Sequence, residues 1–152
     1  MASVIDWHAH HTAPEVADRI KELTGKRPQI DAHDSTDLAQ RVREMDEVGI
    51  DIQLICQGAG VYADQLPAEQ ALEIVRQSND VLGQRIGAHK DRLFGVTALS
   101  LKNIDASVQE IERTAAEGFR AVLLYPHVDG EMLIDTPAME PIFNKICQLN
   151  LP

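Results

Sequence analysis

Aromatic side chains are scarce in this chain: one tryptophan, two tyrosines and three phenylalanines among 152 residues. Leucine, isoleucine, valine and alanine must therefore fill most of any core, and a hydrophobic content of 44% is enough for one ordinary domain. Cationic residues are also in deficit. With 14 Lys and Arg against 24 Asp and Glu, the formal charge is -10, and such a surface repels phosphate backbones and anionic lipid. This argues against nucleic acid or a membrane as partner and leaves a small-molecule substrate. No apolar run approaches the roughly 18 residues a membrane span requires. The opening "MASVID" lacks the basic and long apolar regions of a secretory signal. Cys56 and Cys147 stand far apart with no Cys-x-x-Cys pattern, each in apolar surroundings. Both are expected to be reduced and buried in a cytoplasmic protein. Nucleotide signatures are missing as well: "GAG" at 58–60 is too short for a dinucleotide fingerprint, and there is no P-loop. "TALS" at 97–100 has no partners for a nucleophile elbow.

What the chain does have is alternation. "SVIDWHAH" reads as a strand, and Pro14 opens a helix through "PEVADRIKELTG" that Gly25 can close. After the polar stretch "KRPQIDAHDS", Leu38, Val42, Met45 and Val48 share one face of a second helix, with Gly49 as its cap. "IDIQLIC" follows as a β-branched strand, then a glycine-bearing loop. The longest helix starts at Pro67, with Leu72, Val75, Leu82 and Ile86 on its buried stripe and a polar anomaly, Asn79, among them. "DRLFGVTALSL" is a third strand. In the helix "NIDASVQEIERTAAEG", Ile104, Val108, Ile111 and Ala115 share a face. "FRAVLLYP" is a fourth strand, "HVDGEML" a loop, and a last helix runs through "IFNKICQLN". Strand and helix in alternation, with an extra helix after the first strand, predict a parallel sheet with helices outside it. Four βα units cannot close an eight-stranded barrel. The unpaired edges of an open sheet predict self-association, a homo-oligomer.

The chemistry concentrates in "VIDWHAHH", residues 4–11. Alternation along a strand places Val4, Asp6, His8 and His10 on one face and Ile5, Trp7 and Ala9 on the other, toward the helices. His11 is then expected in the following loop. The Cα atoms of His8 and His10 would lie roughly 6.5 Å apart, from which two imidazoles can converge on one cation. The carboxyl ends of parallel strands are also where α/β proteins build their sites. A His-x-His pair is equally compatible with exposed or hydrogen-bonded histidines. His127, directly after the fourth strand, is a candidate substrate contact, as is Tyr62 in the loop after the second; each is also an ordinary loop residue.

Several stretches are similar to one family in the right order. "VIDWHAHHTAPE", "RVREMDEVGIDIQLI", "SNDVLGQRIGAHKDRLFGVTALSL" and "GFRAVLLYPHVDGEMLIDTPAMEPIF" resemble the amidohydrolase-related metal-dependent hydrolases and decarboxylases. The group includes 2-amino-3-carboxymuconate-6-semialdehyde decarboxylase. The resemblance implies a (β/α)8 barrel with one divalent metal, usually zinc, of which residues 1–152 form the N-terminal part, about four units of eight. It implies His8 and His10 as metal ligands. A third ligand, a histidine, follows the next strand start in that family, and an aspartate lies near the eighth strand; the sequence reaches only Leu151 and Pro152. The implied reaction is hydrolysis of a cyclic or amide substrate through metal-bound water, or non-oxidative decarboxylation of a small carboxylate. With only two imidazoles the isolated chain is expected to hold metal weakly or not at all and to be inactive. The alternative is a non-catalytic half-barrel module that self-associates through its sheet edges.

Overall fold

The computed structural model describes residues 3–28, 37–57, 63, 65–128, 130–132 and 134–152. Strand β1 (Ile5–His11) leads to helix α1 (Pro14–Thr24), helix α2 (Leu38–Val48) and strand β2 (Ile52–Gln57). Helix α3 (Ala68–Ile86), strand β3 (Leu93–Thr97), helix α4 (Ile104–Ala116) and the short strand β4 (Ala121–Val122) follow. A hairpin of β5 (His127–Val128) and β6 (Glu131–Met132) replaces the expected loop, and helix α5 (Glu140–Gln148) ends the chain. Strands β1 to β4 form one parallel sheet in sequence order. The backbone N–H of Val122 donates to the carbonyl of Pro152, so the last residue runs beside β4.

Local signals set the helix ends. Pro14 occupies the first turn of α1, and Gly25 takes the left-handed conformation (φ 75°) that closes it, its N–H donating to the Lys21 carbonyl. Gly49 does the same for α2 at φ 76°, and at the other end the Asp37 carboxylate accepts from the Ala39 and Gln40 N–H groups. On α2, Leu38 and Met45 are buried as expected, but Val48 is 71% exposed. Arg41 of the same helix is buried, because the two strands beneath, β1 and β2, each offer it an acceptor.

The sheet has two apolar faces. The helix-facing one carries Ala9, Ile55, Leu93 and Phe119 against Leu38, Met45, Leu82 and Ile86. The opposite, concave face carries Leu54, Cys56, Val96 and Ala121, flanked by Ile52, Phe94 and Leu123. Burial on both sides is what parallel strands require. Asn79, the polar residue on the α3 stripe, is fully buried and fully partnered: it donates to the Ala98 carbonyl (3.0 Å) and to Glu110 (2.7 Å), and accepts from the Ala98 N–H (3.0 Å). It ties α3 to the end of β3 and to α4.

Four expectations from strand alternation need correction. Asp6 and Ala9 of β1 pair with Gln53 and Ile55 of β2, so Trp7 and His8 together stand opposite Leu54 alone. This β-bulge shifts the alternation by one residue. Ile5, opposite Ile52, and Trp7 therefore lie on the concave side, 42% and 57% exposed rather than packed under a helix, while Asp6 faces Gln53. Fourth, His11 is the last residue of the strand and fully buried, not a loop residue. Of the two cysteines, Cys56 is buried as expected but Cys147 is exposed on α5. No helix among the described residues is long and apolar enough to cross a membrane.

Candidate metal centre

The bulge in β1 is held by one carboxylate. Asp6 accepts the His8 backbone N–H on Oδ1 (3.1 Å) and the Gln53 side-chain amide on Oδ2 (2.7 Å). Gln53 in turn accepts from Arg41 Nη1 (3.1 Å), and Arg41 Nη2 donates to the His10 carbonyl (2.7 Å). A chain of charge-assisted bonds thus runs beneath the strand from before His8 to His10 and fixes the backbone of both. His11 adds a brace from the same side. A guanidinium only donates, so the contact from Arg85 Nη1 to His11 Nε2 (3.2 Å) leaves that nitrogen as acceptor. Arg85 is itself held by both oxygens of Glu15. Burial alone would raise the Glu15 carboxyl; hydrogen bonds from its own backbone and from Arg85, with the Arg85 charge, hold it below the usual carboxylate value.

On the concave side, His8 and His10 are brought together. Their Nε2 atoms are 2.7 Å apart and their ring centroids 4.7 Å apart. Both rings are exposed, so their nitrogens can be reached from solvent. Ligand nitrogens sharing one tetrahedral ion sit roughly 3.3 Å apart, given metal–nitrogen distances of about 2.0–2.1 Å. The pair needs to open only slightly to accept a cation. Its donor chemistry fits a divalent metal.

Cys56 joins this pair. It is the register partner of His10 across the β1–β2 ladder. Its Sγ lies 3.6 Å from His10 Nδ1 and donates to the Ala9 carbonyl (3.3 Å). Sulfur and the two histidine donor atoms lie within 4.8 Å of one another, the one such three-residue group among the described residues. Read from sequence, Cys56 is a buried small hydrophobe. The signal for its role is the alternation Ile52, Leu54, Cys56, which puts it at the carboxyl end of β2 on the His10 side. An open recess of about 200 Å³ adjoins the group, lined in part by Trp7, His8, Leu54, Cys56, Val96 and Leu123. Burial, with a smaller contribution from Cys56, pushes the nearby Tyr125 phenol above its ordinary range. His127 is exposed on the β5–β6 hairpin and does not join the His8–His10–Cys56 group. Tyr62 lies outside the described residues.

Parallel βα units around a concave face, with a histidine pair at the carboxyl end of the first strand, are the first units of a (β/α)8 barrel. The chain belongs to the amidohydrolase family, whose model matches residues 5–152. It is 30% identical over 121 residues to gamma-resorcylate decarboxylase of Rhodococcus jostii (strain RHA1), covering 74% of this chain and 37% of that protein. Among solved structures it is similar to 2,6-dihydroxybenzoate decarboxylase complexed with 2,6-dihydroxybenzoate, at 26% identity and TM-score 0.77, over 100% of this chain and 49% of that one. It shares its fold with a dihydroxybenzoic acid decarboxylase from Polaromonas sp. JS666 with bound manganese and 2-nitroresorcinol. That match has 24% identity and TM-score 0.78, over 100% of this chain and 48% of that one. The chain thus spans a third to a half of the length of these relatives.

Proposed function

We propose that this chain carries the first half of the metal centre of an amidohydrolase-type carboxy-lyase that removes CO2 from a hydroxylated aromatic carboxylate. The observation that carries the reading is the His8–His10 pair, side by side at the carboxyl end of β1, with His8 on the wall of the recess beside Trp7. The decarboxylase relatives support this reaction over hydrolysis. His8 and His10 would hold a divalent ion, which when bound supplies positive charge for the substrate carboxylate. The aryl–carboxylate bond breaks, CO2 leaves, and the ring carbon takes up a proton. The residues of this chain orient rather than react. Arg41 and Asp6 keep the two imidazoles on the concave face, and Trp7 with Leu54 and Leu123 offers apolar wall to an aromatic ring. His127 and Tyr62 are the candidate contacts to the remainder of the substrate.

Trp7 is the sole tryptophan and sits next to His8, so intrinsic fluorescence reports on the site. In the presence of zinc or manganese, 2,6-dihydroxybenzoate is expected to quench it saturably. His8→Ala and His10→Ala should remove the metal-dependent part of the response. Quenching that is unchanged by chelator and by both variants would overturn the reading.

A second reading is favoured by the exposed apolar residues Val4, just before β1, and Ile5 and Trp7 on it, 52%, 42% and 57% accessible. Among the described residues β1 pairs only with β2, and an open edge with apolar side chains invites another sheet edge. In this reading two copies cover each other's edges. Light scattering of the purified chain is expected to give a dimer, and Trp7→Glu should shift it toward monomer. A monodisperse wild-type monomer would remove this reading.

A further inference from the structure

We propose that Cys56 is a third metal ligand, which gives this centre a preference for thiophilic ions such as zinc and cobalt over manganese. The inference rests on the reading of His8 and His10 as ligands and deepens it by naming the class of ion. Three observations carry it. Cys56 is the strand-to-strand register partner of His10, so its side chain emerges on the same concave face at the same height. Its sulfur flanks the His10 ring, 3.6 Å from Nδ1 while Nε2 faces His8, and one donor atom from each of the three residues lies within 4.8 Å of the others. It also lines the recess that His8 lines, so an ion that enters there to reach His8 lies close to the sulfur.

Donor atoms around a tetrahedral zinc are on the order of 3.5 Å apart, from bond lengths of about 2.3 Å to sulfur and about 2.0–2.1 Å to nitrogen. On binding the two imidazoles must therefore part slightly, the His10 ring must turn to aim one nitrogen at the ion, and the sulfur must draw in. The exposed imidazoles have room to do so, and the backbone beneath them is already fixed by Arg41 and Asp6. On binding, the thiol loses its proton to solvent and gives up its bond to the Ala9 carbonyl; the thiolate is the ligand form. Thiolate favours zinc and cobalt, whereas oxygen-rich sites suit manganese. A set of two imidazoles and one thiolate also reaches the three protein ligands that a zinc centre with an open position uses. Metal retention by the isolated chain is then expected, which two imidazoles alone would not give.

The test is a cobalt(II) titration of the chain carrying Cys147→Ser, which removes the exposed thiol as a competing donor. The expected result is a near-ultraviolet thiolate-to-cobalt charge-transfer band together with visible d–d bands. Cys56→Ser in the same background should abolish the charge-transfer band and keep weakened d–d bands. His8→Ala should weaken both. Zinc affinity should fall by roughly tenfold or more on Cys56→Ser, at least what loss of an outer partner costs, while manganese affinity stays within experimental scatter. d–d bands that His8→Ala removes, with no charge-transfer band, would overturn the role of Cys56 and leave the histidine pair intact. No cobalt binding at all would overturn both. Circular dichroism of each variant separates loss of a ligand from loss of the fold.

Discussion

Replacing Glu110 with alanine is expected to destabilise the chain by about 3 kcal/mol, the lower end of what breaking a buried charged network costs. Glu110 is 1% exposed on α4. Its Oε1 accepts from Asn79 (2.7 Å) and from Arg113 Nη2 (2.7 Å), and its Oε2 from Arg113 Nε (3.0 Å) with Arg76 at 3.6 Å. Both arginines reach solvent, with side chains 36% and 45% exposed, and can rehydrate when the carboxylate is gone. That places the expected cost at the low end of the range. Asn79 cannot rehydrate: one of its two amide bonds is lost in a fully buried position. Glu110→Gln keeps the volume and an acceptor for Asn79 and should lose less than alanine.

The same carboxylate makes stability depend on pH. Burial alone would raise the Glu110 carboxyl, but hydrogen bonds from Arg113 and Asn79 and the charges of Arg113 and Arg76 outweigh it and hold it below the ordinary value. A group depressed in the folded state contributes its stability above the unfolded carboxylate value, about 4.3 for glutamate, and loses it as pH falls through the folded value. Urea unfolding of wild type and Glu110→Gln should differ most near neutral pH and converge in acid. A difference that persists unchanged at low pH would show that charge plays no part.

The second large effect comes from one of the few aromatic rings. Phe119 is 1% exposed, and a methyl group on Gly95 of β3 would lie 2.5 to 2.8 Å from three of its ring carbons. Gly83 on α3 faces the same ring, where a Cβ would meet it at 3.4 Å. Two glycines from different elements therefore shape the slot. The ring is enclosed by Ile55, Leu82 and Leu93 and cannot slide aside. Gly95→Ala is expected to cost about 1–3 kcal/mol by overpacking, and Phe119→Ala about 3–5 kcal/mol by opening a cavity. Combining Gly95→Ala with Phe119→Leu should cost less than the two single changes summed, because the smaller side chain makes room for the methyl. Strict additivity in thermal unfolding would show that the clash is relieved in some other way.

Much of the architecture could be read directly. Pro14, Gly25 and Gly49 mark helix ends by backbone preference alone, and apolar periodicity separates strands from helices. Asn79 stood out as a polar residue on an apolar stripe, but its reason, the Ala98 backbone and Glu110, lies on other elements. Glu110 gave no sign at all, because a glutamate on a helix that is otherwise amphipathic reads as a solvent-facing residue. On α2, the burial of Arg41 gave no sign for a similar reason: its acceptors belong to His10 and Gln53 on other elements.

The sequence by itself determined the succession of βα units, the caps that bound the helices, and the pairing of His8 with His10 two residues apart on one strand. These depend on neighbours within a few positions, where backbone geometry is set by residue type. Tertiary structure alone decided the bulge at Trp7 and His8, which turned the tryptophan to the concave face and Asp6 away from it. It also decided the burial of His11 and the exposure of Cys147. Above all it brought Cys56 to His10, because a parallel ladder makes neighbours of residues 46 positions apart and its register is settled only when both faces of the sheet are packed.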